Sequence, residues 1–139
     1  MTLAVRDPLL TELMDDPACD PVSLRRTVER FHVVNRLVSG WGGVYRAHVE
    51  PALAAIDGTA RILDIGCGGG DVLRRVVSLA RSDGIAVEAV GIDPDERVLE
   101  VADAADRDAA VSYRRAHTRE LVAEGARFDV VISNHVLHH

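Results

Sequence analysis

Three acids, three glycines and a run of histidines carry the chemistry in this sequence. Asp64, Gly66, Gly68 and Gly70 fall at every second position, in the pattern D-x-G-x-G-x-G, and Asp71 follows at once. Glycines at such a turn bring bare backbone N–H groups, and the helix start behind them, against a ligand. An acid two residues before the first glycine suits a cationic amine better than a phosphate. Asp93 closes Gly91-Ile92-Asp93-Pro94. A carboxylate at that strand end is a bidentate acceptor for a pair of ribose hydroxyls. Asn134-His135-Val136-Leu137-His138-His139 ends the sequence. A histidine has the near-neutral pKa that proton removal from a phenol needs.

Two nucleotide cofactors are read by loops of this kind. A dinucleotide site wants G-x-G-x-x-G/A. Counting from Gly66 puts Asp71 at the third position, and counting from Gly68 puts Leu73 there; both fail. S-adenosylmethionine carries an ammonium, a carboxylate and a sulfonium, and it matches the acids better. Asp64 meets the amine, directly or through water. The N–H groups of the helix start meet the carboxylate. Asp93 alone does not discriminate, because nicotinamide sites also place an acid there. A nicotinamide-dependent oxidoreductase therefore stays open as an alternative.

These residues need a strand, a turn and a helix to hold them. Ile62 to Ile65 is a short apolar run interrupted by Asp64, and the apolar spacing from Val72 to Leu79 is helical. The pattern predicts a helix to about Ser82 and a second strand over 85–93. A helix follows over 95–105, then a third strand over 111–115, a helical turn over 120–124 and a fourth strand over 127–133. Strands alternating with helices from residue 60 imply a parallel sheet with right-handed crossovers. Ahead of it, residues 1–58 read as helical. Residues 8–16 form a short helix, and Asp20-Pro21 starts an amphipathic one that ends near Gly40. Trp41-Gly42-Gly43 reads as a break. A last helix follows, with Val44, Val49, Leu53 and Ile56 as its apolar side and Pro51 kinking or restarting it. The expected division is a helical segment at 1–58 and a cofactor-binding domain at 59–139.

Composition narrows the function classes. The chain has 139 residues, which favours one domain, and its net charge of −6 argues against a general nucleic-acid surface. No apolar run approaches the roughly 20 residues of a membrane helix. Arg6, Asp7, Glu12, Asp15 and Asp16 interrupt any signal-peptide core. Cys19 and Cys67 read as two reduced thiols, so a cytoplasmic protein is expected.

Leu63-Asp64-Ile65-Gly66-Cys67-Gly68-Gly69-Gly70 resembles the first motif of class I S-adenosylmethionine-dependent methyltransferases. Gly91-Ile92-Asp93-Pro94 resembles the second. Residues 128–139 resemble the fourth-strand motif, in the form of small-molecule members related to the ubiquinone and menaquinone biosynthesis group. The resemblance covers residues 60–139. It implies a Rossmann-like α/β sheet in the order 3-2-1-4, part of a seven-stranded whole. It implies that Asp64, Gly66, Gly68 and Gly70 line the methionine end of the cofactor, with Cys67 packed inside the loop. Asp93 then binds the ribose, and Pro94 lies beside adenine. The loop Ala116-His117-Thr118 flanks adenine without the acid many members carry, so Thr118 or backbone carbonyls take that part. Asn134 and His135 open onto the transferred methyl.

The resemblance makes the chain a methyltransferase for a small-molecule acceptor, a phenolic or quinol hydroxyl being the type considered. His135, His138 and His139 are the candidate bases; they suit polar pocket or helix-start positions equally well, and both readings stand at this point. Their spacing also matches a helix-face metal pair, but no fitting carboxylate or cysteine is near and no metal is expected. The chain has room for four strands, so a fragment is expected. The uncovered fourth strand then calls for a second copy or the missing C-terminal half. A non-catalytic cofactor-binding remnant is the remaining alternative.

Overall fold

The computed structural model describes residue 20, residues 40–106 and residues 108–134. The helices expected at 8–16 and between Asp20 and Gly40 lie outside the described residues, as do His135, His138 and His139.

The sheet is parallel, four-stranded and ordered β3-β2-β1-β4, as expected. β1 is Ala60–Ile65, β2 Val87–Asp93, β3 Val111–Arg115 and β4 Val130–Ser133. Apolar residues on both faces of β1 suit a central strand covered on each side. On one face Ile62, Ala89 and Ile132 join the larger core, and on the other Leu63 and Ile92 pack with Ala116 and Leu121.

The helix Asp71–Ser82 covers the larger core. Val72, Leu73, Val76, Val77 and Ala80 are its buried stripe, and Arg75, Ser78 and Arg81 face water. Gly84, at φ 75°, ends it. The Ile85 N–H donates to the Ala80 carbonyl and the Gly84 N–H to the Arg81 carbonyl, a Schellman closure. That closure takes Ile85 out of the sheet, so β2 begins at Val87 and not at 85. β4 is also shorter than expected, because its pairing with β1 begins at Ile62↔Val130. Asp129 still ties to β1: its N–H donates to the Arg61 carbonyl and its carboxylate accepts from the Arg61 N–H. The remaining helices are Glu96–Ala105, capped by the Asp95 side chain, and Thr118–Ala123.

The front segment departs from expectation. Trp41-Gly42-Gly43 is not a break; Trp41–Val44 is already helical, started by Gly40 at φ 60°. The chain then widens into a π-helical turn, Tyr45–Val49, before Glu50–Ala54. The buried face is accordingly Tyr45, Val49 and Leu53, and Val44 is exposed. Residues four apart share a helix face, so these three side chains meet the core together. Pro51 is the cause at hand for the widened turn: it has no N–H to donate back, and its ring crowds the carbonyl four residues earlier. In chain order these helices are α1 (Trp41–Val44), α2 (Glu50–Ala54), α3 (Asp71–Ser82), α4 (Glu96–Ala105) and α5 (Thr118–Ala123).

The front helices share the core of the sheet: Tyr45, Val49 and Leu53 pack in the same cluster as Ile62 and Leu73. At the rim, Tyr45 Oη donates to Asp83 Oδ2 at 2.8 Å, and Arg46 donates to the same oxygen at 2.7 Å. Tyr45→Phe is expected to cost about 1 kcal/mol. The check is a urea titration in which the midpoint falls and the slope is unchanged.

Candidate functional site

The carboxyl ends of all four strands meet at one edge. Ile65 pairs with Ile92 and with Ser133, and Asp93 pairs with Arg115. The residues just past those ends therefore lie along one edge of the sheet: Ala116 after β3, Pro94 after β2, the glycine turn after β1 and Asn134 after β4. The carboxyl edge of the strands is where open parallel sheets take ligands.

The glycine turn is anchored from below. The N–H groups of Gly66 and Cys67 both donate to the Ile92 carbonyl, at 2.8 and 3.0 Å. The Gly68 N–H donates to Asp93 Oδ2 at 3.1 Å. Gly68 sits at φ 51°, and a Cβ built on it meets nothing within 4 Å. Among the described residues nothing covers that face of the loop. Gly70, at φ 74°, begins α3, whose first turn has no side-chain cap among the described residues. Its N–H groups are thus left for a ligand anion.

Three carboxylates surround this turn. Asp64 is 1% exposed, and its Oδ1 has no hydrogen-bond partner among the described residues. Burial pushes its carboxyl up to about 8, and the charges of Asp71 and Asp93 add to the rise. An unpaired buried acid is costly and asks for a cation. Asp93 is half-buried, and burial raises it too, against the N–H groups of Asp95 and Gly68 that stabilise its charge. Asp93 Oδ1 accepts from the Asp95 N–H at 2.9 Å. Each of its oxygens keeps lone-pair capacity for a further donor.

The other sequence-predicted residues fall around this centre. Cys67 is buried, and its burial, before the nearby charges of Asp64 and Asp93, raises its thiol; it is a packing residue, not an activated nucleophile. Pro94 is exposed, with its carbonyl taking a bond from Arg115. The Ala116 N–H donates to the Asp93 carbonyl at 3.3 Å, which sets the loop beside Asp93. His117 and Thr118 are exposed at the start of α5. Asn134 is half-buried just beyond β4. Among the described residues no group of three His, Cys, Asp or Glu could hold a metal, and no helix is long and apolar enough to cross a membrane.

One feature of the site escapes sequence reasoning: Tyr113, with Arg74 and Asp106. Tyr113 packs behind the turn, and its hydroxyl takes a bond from Arg74 at 3.2 Å and gives one to Asp106 at 3.0 Å. The available signal was Gly91, a glycine inside an apolar strand, which marks a close approach.

Comparison with known proteins gives one answer. The methyltransferase-domain family matches residues 62–139. A ubiquinone biosynthesis O-methyltransferase of Agrobacterium fabrum is 31% identical over 121 residues, covering 86% of this chain and 44% of that protein. Its counterpart in Caulobacter vibrioides is 40% identical over 102 residues, covering 65% of this chain and 38% of its own length. The chain thus spans less than half the length of these relatives. Among solved structures, the plantazolicin methyltransferase BpumL in complex with SAH superposes with a TM-score of 0.54 at 18% identity, over 87% of this chain and 43% of that one. A structure from Methanococcus maripaludis, described as that of a putative S-adenosyl-L-methionine-dependent methyltransferase, gives 0.51 at 12% identity, over 81% and 51%. These two likenesses are of fold.

Proposed function

The chain belongs to the methyltransferase-domain family, and from that premise we propose that it binds S-adenosylmethionine at the glycine turn and serves methyl transfer to a small-molecule hydroxyl. The observation that carries this reading is the buried, unpartnered Oδ1 of Asp64. A cationic amine is the partner it lacks, and neither a pyrophosphate nor a neutral ring supplies one. In this reading Asp64 holds the ammonium, and the first N–H groups of α3 hold the carboxylate. Asp93 takes the ribose hydroxyls with its remaining lone pairs. Gly66, Gly68 and Gly70 let the backbone approach, with Cys67 and Asp71 shaping the turn. Pro94, His117 and Thr118 border the adenine.

Bound there, S-adenosylmethionine supplies a methyl on an activated sulfonium leaving group. The protein's share is then alignment and removal of one proton. Asn134 borders the methyl, and His135, His138 and His139 supply the base for the acceptor hydroxyl. Such a base step is worth about a hundred- to ten-thousand-fold. The names of the Agrobacterium and Caulobacter relatives support an oxygen nucleophile of the phenol or quinol type. Cofactor binding falls to residues 59–139 in this reading, with residues 1–58 a helical segment and the protein in the cytoplasm. β4 is an outer strand of the described sheet, and a second copy or further protein packed against it is the partner this reading calls for.

Calorimetry with S-adenosylmethionine and with NAD tests the reading. Binding of the first with a dissociation constant in the micromolar range, about −8 kcal/mol, and none of the second is the expected outcome. Binding of NAD alone ends it. Transfer of radiolabelled methyl to a panel of phenols and quinols then separates an enzyme from a binding module.

A further inference from the structure

The register places Tyr113, Gly91, Asp64 and Ile132 in one row across the sheet. Residues two apart on a strand share a face. Asp64 is thus on the side of Ala60 and Ile62, Gly91 on that of Val87 and Ala89, and Tyr113 on that of Val111, all of which meet the core under α3. Gly91 contributes no side chain to this row. A Cβ built there would lie 2.8 Å from Tyr113 Cδ1 and 2.8 Å from Cys67 Sγ. The space over Gly91 is therefore taken by the ring from one side and by the glycine turn from the other. A Cβ built on Gly70 would lie 2.2 Å from Tyr113 Oη and 2.6 Å from its Cζ. The phenol rests on the backbone at the point where the turn becomes α3.

Its hydroxyl is fixed at both ends. Arg74, in the first turns of α3, donates to Oη, and Oη donates to Asp106 at the end of α4. The Arg74 N–H also closes onto the Gly70 carbonyl at 3.0 Å. Burial holds the phenol un-ionised, so it keeps the proton that the bond to Asp106 requires.

We infer that Tyr113 is a positioning residue for the cofactor turn: its ring fills the space over Gly91 and forms the floor under Gly70, and the Arg74–Tyr113–Asp106 chain fixes that floor to α4. How the turn is held is independent of the proposed function, and only what the turn binds rests on that reading. A loop that must meet three ligand charges cannot drift, and bare glycines do not stiffen it. The floor restricts it where side chains of its own cannot.

The test uses the full 139-residue chain and Tyr113→Phe, which keeps the ring and removes the bridge. Amide hydrogen exchange is followed without ligand at Gly68 and Gly70, both hydrogen-bonded, and at Leu63 and Ile65 in β1. The expected result is an acceleration of about tenfold confined to Gly68 and Gly70, as for a local opening. The dissociation constant for S-adenosylmethionine is expected to rise by about tenfold. Tyr113→Leu, which removes the floor as well, is expected to exceed both changes. Exchange at Gly68 and Gly70 within about twofold of wild type in both variants, or equal acceleration in β1, overturns the inference. Failure of the wild-type chain to bind S-adenosylmethionine instead overturns the proposed function, and the exchange result still decides the role of Tyr113.

Discussion

Asp64→Asn is expected to stabilise the ligand-free protein and to destroy its affinity for S-adenosylmethionine. The carboxyl ionises at about 8 in the folded chain against 3.8 for an ordinary aspartate. Between those values the folded state holds a proton that the unfolded state has lost. Stability therefore declines as pH rises through that window and levels off above about 8. One pKa unit is about 1.4 kcal/mol, so relief of a few kcal/mol at pH 8 to 9 is expected from a side chain that cannot ionise. Asp93 is raised as well and contributes a slope of the same sign, so the variant's profile flattens without becoming level. Binding moves the other way. Without its counter-charge a buried ammonium loses about 3–5 kcal/mol, a hundredfold or more in affinity. Urea unfolding at pH 6 and pH 9, with calorimetry on the same samples, reads both. Wild-type binding at pH 7 is expected to release protons, visible as a heat that depends on the buffer. A variant less stable than wild type at pH 9 would show that Asp64 has a partner in the free protein.

Asp93→Ala is expected to weaken the same cofactor by about 3–5 kcal/mol, since bonds to a charged acceptor are worth about 1.5–3 kcal/mol each. The two ribose hydroxyls lose their acceptor, and so do the N–H groups of Gly68 and Asp95. The turn thus loses a ligand contact and one of its own anchors in a single change. Asp93→Asn keeps one acceptor oxygen and is expected to fall between the two. Titration calorimetry gives the three constants, and unchanged affinity in the alanine variant would place the ribose elsewhere.

The parts of the site that were legible in the sequence are those whose chemistry is local. The spacing of Asp64 to Gly70 dictates a strand, a tight turn and a helix start, and each is found within a residue. Asp93 was legible because a strand end is marked by the loss of apolar periodicity and by the proline after it. Its hold on the Gly68 N–H was not, because that bond joins residues 25 apart. Tyr113 was hidden for the same reason. A tyrosine in a half-buried strand has many uses, and only the register that sets it opposite Gly91 gives it this one. The front helices failed differently. Glycines at 42 and 43 cost helix propensity of about 1 kcal/mol each, and burial of Trp41 and Tyr45 against the sheet outweighs that. Val44 failed by spacing: one turn before the buried Val49 stands Tyr45, four residues back, and Val44 is five back.

The bonds from Tyr45 and Arg46 to Asp83 fix the far end of α3. From Asp83 back to Gly70 is about 20 Å of helix axis. A swing of about 3° around that end would carry the glycine turn by about 1 Å, and methyl transfer tolerates little misplacement of that size. The front helices are thus the fulcrum of a long arm that ends at the glycine turn, where the methyl donor is proposed to bind. The placement of the glycine turn is set in part at the opposite end of α3.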